Sequence, residues 1–375
     1  MIEAMYWRQQ MRIHDLEIRH VGVPLVRPFR TSFGTQTERD LLVLKVTTDM
    51  GDGWAECVAM SEPLYSPEYT HGCEDVIERF LLPALRKVGD LRAEEVADIL
   101  RPFLGHQMAK AAIETALLDA ELKHEGRSFA SFFGTEKEEV DCGVSVGIAN
   151  SIDALLEEVG DYVNQGYRRI KLKIEPGWDI EPVRIVRETW PKIPLQVDAN
   201  QAYSRDDAAH LAGLDEFNLL LIEQPLDEHD VLGHALLSRA IQTPVCLDES
   251  ITSLQSARDA IAMEATTVIN IKPGRVGGYF ESIKIHDFCV EEGIPVWCGG
   301  MLETGIGRAA NLALAALPGF TLPGDTSASN RYYLRDITTP FVMVDGRIRV
   351  PQGPGMGVEI DHAFLESVTV SKKTI

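Results

Sequence analysis

No apolar run in this 375-residue chain approaches the roughly 18–20 residues that a bilayer crossing needs, so a membrane is not expected as a partner. Positive charge is scarce. Lys and Arg number 36 against 57 Asp and Glu, and the formal charge of −21 argues against nucleic acid or an anionic surface as a partner. The six cysteines (Cys57, Cys73, Cys142, Cys246, Cys289, Cys298) form no CxxC pair, and several sit inside apolar runs as small hydrophobes. Reduced thiols and a cytoplasmic location are the expectation. The opening MIEAMYWRQQ lacks the apolar core of a signal peptide. Because Met11 opens the first strand pattern, residues 1–10 read as an extension or an alternative start. There is no HExxH, no strand-end His, no Walker-type GK[ST] and no dinucleotide glycine fingerprint. His229 and His234 lie five apart, the wrong spacing for a shared metal, and the ten histidines read as structural or exposed.

The chain does contain a series of short apolar runs, each closed by a charge. They are Lys173 in RIKLKI, Asp198 in PLQVDAN, Glu223 in LLLIEQP, Asp248 in PVCLDES and Lys272 in VINIKPG, at steps of 25, 25, 25 and 24 residues. About 25 residues accommodate one buried strand, one covering helix and two short loops. A charge at each strand end then falls on the C-terminal rim of a parallel barrel, where that fold does its chemistry. Counting strand ends from CGVSVG to FTLPGD gives eight (145/147, 173, 198, 223, 248, 272, 299 and 325), with Ser- or Asp-capped helical stretches between them.

The expected fold is therefore α/β: a (β/α)8 barrel over residues 139–328, joined to an α+β domain over residues 1–138. In that first domain, residues 11–60 alternate like antiparallel strands and residues 68–126 carry helical periodicity, with Gly126 as a helix stop. The Thr-, Ser- and Gly-rich residues 28–40 read as a mobile loop. The tail, residues 329–375, returns to strand-like segments expected to pack back on the first domain.

Asp198, Glu223 and Asp248 close three successive strands, so their tips are expected side by side at the barrel mouth. Three hard oxygen donors without His or Cys suit Mg2+ and argue against zinc. Asn200, two residues past Asp198, should face the same way and support the ligands. Glu249, next to Asp248, should point the opposite way and partner a neighbouring lysine or loop amide.

Lys171 and Lys173 are two apart in a strand and project together into the barrel. Lys173, nearer the mouth, is the expected base or acid, and Lys171 below it would lower its pKa by like-charge proximity. Lys272 arrives from strand six, across the barrel. Two amines on opposite faces of a metal-bound carboxylate can exchange protons with either face of its α-carbon. Arg275 could hold Lys272 in place and lower its pKa, grip a substrate carboxylate, or be solvated. The glycine-rich PGRVGG and CGGMLETGIG suggest a backbone-amide site for a carboxylate at Gly299, Gly300 and Met301, and Ser145 at the end of strand one offers a hydroxyl to substrate.

At KLK, DAN, EQP, DES and NIK the sequence resembles the enolase superfamily, within the muconate lactonizing enzyme subgroup. PFRTSFGTQTERD, AECVAMSEPLYSPEYT, EPGWDI, WCGGMLETGIGRA and LPGDTSAS look like the o-succinylbenzoate synthase/N-succinylamino acid racemase family, a resemblance running from Met11 to about residue 360. It implies an α+β domain capping the barrel mouth and a homo-oligomer acting on a small carboxylate. Lys173 and Lys272 would be the acid/base pair, and Asp198, Glu223 and Asp248 the ligands of Mg2+, which Mn2+ or another divalent ion can replace. The implied reaction removes a proton α to a carboxylate to give an enediolate. A hydro-lyase of this kind dehydrates 2-succinyl-6-hydroxy-2,4-cyclohexadiene-1-carboxylate to o-succinylbenzoate, a menaquinone precursor. There Lys173 would serve as base and then acid while Lys272 stabilises the intermediate. Racemisation of N-succinyl- or N-acylamino acids would use the two lysines in alternation. Residues 30–39 and 62–69 would line the substrate from the cap, with Phe33 and Tyr65 as contacts. The alternatives are an N-acylamino acid racemase as the main role, a cycloisomerase or a dipeptide epimerase.

Overall fold

Alternating side chains in MRIHDLEIRH bury one face of the long strand Met11–Thr31. The computed structural model describes residues 9–135 and 137–375; residues 1–8 of the expected extension lie outside them. Met11–Thr31 sits inside an antiparallel sheet ordered Thr369–Thr374, Met11–Thr31, Gly34–Thr48, Gly51–Cys57. The tail strand pairs from Glu17↔Thr374 to Val21↔Thr369, and a second tail strand, Arg347–Arg349, pairs with Glu139–Asp141.

The expected mobile loop at residues 28–40 is instead the tip of a hairpin. Phe29↔Gln36, Arg30↔Thr35 and Thr31↔Gly34 pair across it, leaving only Ser32 and Phe33 to turn the chain. Polar composition marked the segment as exposed, but its β-branched Thr residues and Gly34 (φ +156°) suit a tight turn.

The sheet packs on the helix Gln107–Glu125, which Gly126 terminates at φ +67°. Gly53 is required there: a Cβ would lie 1.9 Å from the carbonyl oxygen of Ala116.

Seven parallel strands follow in chain order: Gly143–Val146, Arg169–Lys173, Leu195–Asp198, Ile222–Glu223, Val245–Leu247, Val268–Ile271 and Val296–Cys298. The eighth position is filled by an irregular extended segment at residues 320–325. Phe320 bridges to Val296 and Gly324 to Cys142, and the amides of Gly143 and Asp325 bond Gly324 O (2.8 Å) and Cys298 O (2.9 Å). Pro323 has no N–H to give, so no regular ladder forms.

Seven helical connections cover the barrel, and the chain directly after position eight makes the short turn Ser329–Arg331 where an eighth covering helix was expected. The helix starts carry side-chain caps from Ser151, Asp179, Asp230, Ser253 and Thr304. Inside the barrel Leu221, Cys246, Val268 and Trp297 form an apolar floor. Among the described residues no helix is long and apolar enough to cross a membrane.

Candidate active site

Register explains how the charges converge. Lys173 pairs with Asp198 and Asp198 with Glu223, while Cys246, two residues before Asp248, pairs with Glu223. Alternation turns residues 171, 173, 198, 223, 248, 270 and 272 into the barrel, so a polar zone two residues deep along the strands stands above the floor. Asp198, Glu223 and Asp248 are at most 1% exposed.

Each carboxylate meets a cation. Lys173 Nζ donates to Asp198 Oδ2 and Asn200 Oδ1, both at 2.6 Å. Lys171 Nζ donates to Asp325 Oδ2 (2.7 Å) and Glu223 Oε2 (3.0 Å), and lies 3.3 Å from Asp198 Oδ2. Lys272 Nζ donates to Asp248 Oδ2 at 2.7 Å and to the Tyr65 hydroxyl at 3.0 Å. Lys173 and Lys272 thus approach the carboxylate layer from strands two and six.

Burial and these pairs set the proton affinities. Burial raises the Asp198 pKa, but the ammoniums of Lys173 and Lys171 outweigh it and hold that carboxyl below its usual range. Glu223 is raised, first by burial and then by Asp198. Lys171 and Lys272 lose proton affinity to burial but regain more from their anionic partners, so both stand above the ordinary lysine range.

Asn200 accepts from Lys173 Nζ through its side-chain oxygen, and its backbone N–H donates to Asp198 Oδ1 at 3.0 Å. Glu249 does not point away. Its Oε1 accepts from Asn200 Nδ2 at 2.9 Å, its Oε2 has no hydrogen-bond partner, and burial with the Asp198 charge pushes it up to about 7. Strict alternation stops at the strand end, and Glu249 lies past it. Arg275 is buried, not solvated. It donates from Nε to Ile251 O (2.7 Å), from Nη2 to Asn270 O (2.6 Å) and from Nη1 to Tyr65 OH (3.2 Å), and pairs with Asp248. It therefore reaches Lys272 only through shared partners, and Lys272 is shifted up, not down.

The glycine-loop expectation is corrected in part. Gly299 N–H donates to Ile271 O at 3.1 Å and Met301 N–H to Glu303 Oε1 at 2.8 Å, so two of the three amides are already engaged. A Cβ on Gly299 would meet Asn270 Oδ1 at 2.2 Å, and one on Gly300 would meet Asp325 O and Glu303 Oε2 at 3.1 Å. Ser145 lies in register with Lys171, one layer down, and donates to Asp325 Oδ1 at 3.3 Å. From the cap, the Phe33 and Tyr65 rings sit 6.1 Å apart, and Ser32 Oγ donates to the carbonyls of Ala199 (3.0 Å) and Asn200 (3.2 Å).

Sequence reasoning counted Asp325 as the eighth strand end without giving it a role, and missed Asn270. Asp325 accepts from Lys171 and from both Arg169 Nη atoms at 2.9 Å, while Asn270 Nδ2 donates to Glu223 Oε1 at 2.7 Å. Asn270 precedes Lys272 by two in the same strand, so alternation alone could have found it.

Three buried carboxylates from adjacent strands, all hard oxygen donors, fit a divalent ion of the Mg2+ type. Lys171 Nζ bridges two of them, at 3.0 Å from Glu223 Oε2 and 3.3 Å from Asp198 Oδ2.

Two family models match the chain: "Mandelate racemase / muconate lactonizing enzyme, N-terminal domain" over residues 13–134 and "Enolase C-terminal domain-like" over residues 154–364. An N-succinylamino acid racemase from Amycolatopsis is 58% identical, over 96% of this chain and 99% of that protein. An o-succinylbenzoate synthase from Geobacillus kaustophilus is 47% identical, over 96% of both. A solved enolase-superfamily member from Listeria innocua superposes with a TM-score of 0.93 at 40% identity, covering 97% of this chain and 99% of that one. The chain belongs to the enolase superfamily.

Proposed function

We propose that this chain is a Mg2+-dependent o-succinylbenzoate synthase that also racemises N-succinylamino acids. The observation that carries the reading is the pair of buried ammoniums, Lys173 and Lys272, reaching one carboxylate layer from strands two and six. Relatives of both names, at 47% and 58% identity, support it.

Enzymes of this superfamily use a divalent ion, and here Asp198, Glu223 and Asp248 would hold Mg2+. When bound, the ion supplies positive charge that draws the substrate carboxylate and stabilises charge developing on it. Lys173 Nζ, as the neutral amine, takes the proton from the carbon α to that carboxylate. In dehydration the same Lys173 ammonium returns the proton to the departing hydroxyl, which leaves as water, while Lys272 stays charged and stabilises the anion. In racemisation one lysine takes the proton from one face and the other donates from the opposite face. Asn200 orients Lys173, and Tyr65 orients Lys272. Residues 1–138 with the tail 329–375 act as the cap, and residues 139–328 as the catalytic barrel. A homo-oligomer in the cytoplasm goes with this reading; the six cysteines are all free and buried.

The test compares kcat/KM on the cyclohexadiene carboxylate, N-succinylamino acids, muconate and dipeptides. Efficient turnover of the first two is expected. Turnover confined to muconate or dipeptides would replace the reading with a cycloisomerase or an epimerase.

A further inference from the structure

Two of the ten histidines meet outside the barrel, which sequence reasoning did not anticipate. His20, on the strand Met11–Thr31, and His71, on the helix Thr70–Val76, contact edge to face with ring centroids 4.6 Å apart. Glu74 follows His71 by three residues on the same helix face, with Oε2 3.7 Å from His71 Nδ1. One ligand atom from each of the three lies within 4.8 Å of the other two.

The His20 ring is buried, at 7% exposure, whereas His71 opens to solvent. His20 Nε2 lies 2.8 Å from Asp40 Oδ1, a short contact that fixes the ring and leaves Nδ1 as the nitrogen free to take an ion. Thr70 Oγ1 holds the other Asp40 oxygen at 3.2 Å. Lys373 Nζ occupies Glu74 Oε1 at 3.0 Å and leaves Oε2 facing His71.

We propose that His20, His71 and Glu74 form a binding site for a transition-metal dication of the Zn2+ type, separate from the carboxylate site in the barrel. Two imidazole nitrogens and one carboxylate oxygen suit Zn2+, Co2+ or Ni2+ and not Mg2+. Tetrahedral ligands at zinc distances stand roughly 3.3–3.5 Å apart, so the 3.7 Å between His71 and Glu74 closes with a small rotation of an exposed ring. Asp40, beside the buried histidine, supplies the carboxylate that commonly backs a metal-bound imidazole. Lys373 keeps the local charge from favouring hard cations by neutralising one side of Glu74. An ion there would pin the helix Thr70–Val76 to the sheet immediately after the segment that carries Tyr65 to the barrel mouth.

The test uses the full chain, stripped of transition metals and kept in saturating Mg2+ so that the barrel carboxylates are engaged. Calorimetric titration with ZnCl2 is expected to give one more equivalent bound in wild type than in His71→Ala. Co2+ substitution should give the visible bands of a tetrahedral site in wild type, and His71→Ala should lose them. Zn2+ should raise Tm only in wild type. The His71 side chain is 70% exposed, so the variant folds and retains its Mg2+-dependent turnover. Glu74→Gln, a second variant, should weaken Zn2+ by about tenfold or more. Equal zinc stoichiometry and affinity in wild type and His71→Ala overturns the proposal.

Discussion

The Tyr65 hydroxyl lies 3.0 Å from Lys272 Nζ, and the same ammonium stands 4.6 Å from the Tyr65 ring centroid. A cap residue thus holds the lysine of the sixth barrel strand by its oxygen and by its ring face. Tyr65→Phe keeps the ring and removes the oxygen that Lys272 and Arg275 share. In the proposed mechanism racemisation needs Lys272 to carry a proton, whereas dehydration needs only its charge. The variant should therefore lose about ten- to hundredfold in kcat for racemisation, with a much smaller loss in dehydration. Steady-state assays of both reactions decide this. Equal losses would place Tyr65 in substrate binding instead.

The two lysines are expected to separate by face. Lys173→Ala should abolish both reactions, a loss of at least about 10³-fold. Lys272→Ala should abolish racemisation while leaving solvent deuterium exchange at the α-carbon of the one enantiomer whose proton faces Lys173. NMR of each N-succinylamino acid enantiomer in D2O reads this directly. Exchange of both enantiomers in Lys272→Ala would mean that Lys173 reaches both faces.

Removing divalent ions with EDTA should stop both reactions in parallel, and Mg2+ or Mn2+ should restore both. The reason is electrostatic: α-protons of carboxylates are very weakly acidic, and ammonium groups already paired to Asp198 and Asp248 have little field left for a substrate anion. Full turnover in EDTA would remove the metal from the mechanism.

How far the site was legible in the sequence follows from what strand geometry preserves. Period-two alternation and a near-even spacing of about 25 residues placed Lys173, Asp198, Glu223, Asp248 and Lys272 at one rim, with Lys171 a layer below. Alternation fails where strands end. Glu249, beyond the strand Val245–Leu247, turns to Asn200 although parity pointed it away. Contacts between distant segments were also silent. Nothing local in LPGD marks Asp325 as the partner of Arg169, and nothing near Tyr65 marks Lys272. The glycine loop looked like an anion cradle because glycine frees backbone amides, but Glu303 and Ile271 accept from two of them. Seven regular strands appeared where eight were counted because a proline interrupts the last.

Asp325 is expected to matter more for stability than for chemistry. It is the shared partner of Arg169 and Lys171, both nearly fully buried, with Trp297 beneath them at 5.1 and 4.7 Å. Gly143 leaves room for that guanidinium, since a Cβ there would lie 2.3 Å from Arg169 Cζ. Asp325→Asn keeps the shape and removes the charge, leaving two buried cations short of an anion. A loss of about 3–5 kcal/mol is expected, read as a lower urea midpoint at unchanged slope. A loss under about 1 kcal/mol would show that Glu223 and Asp198 suffice to neutralise Lys171.

The cap and barrel are joined by a carboxyl with unusual proton affinity, and this gives stability a pH dependence. Glu56, on the cap strand Gly51–Cys57, accepts hydrogen bonds from the N–H groups of Thr304 and Gly307, both at 3.1 Å, and from the Thr304 hydroxyl. These groups lie at the start of the helix Gly305–Ala315. Burial pushes Glu56 up to about 8, with the neighbouring Glu303 adding to the shift. Because the folded value exceeds the ordinary 4.5, the folded state keeps a proton that the unfolded chain releases. The associated stability is fully present below about pH 4.5, falls as pH rises, and is lost by about pH 8. Glu114 is also raised to about 8 by burial and should add a slope of the same sign. Glu56→Gln has no proton to lose, so its Tm should fall less than that of wild type between about pH 5 and 8.5. Calorimetric scans across that range test this. Parallel profiles would mean that Glu56 is ionised in the folded protein and is held as a carboxylate by the helix amides.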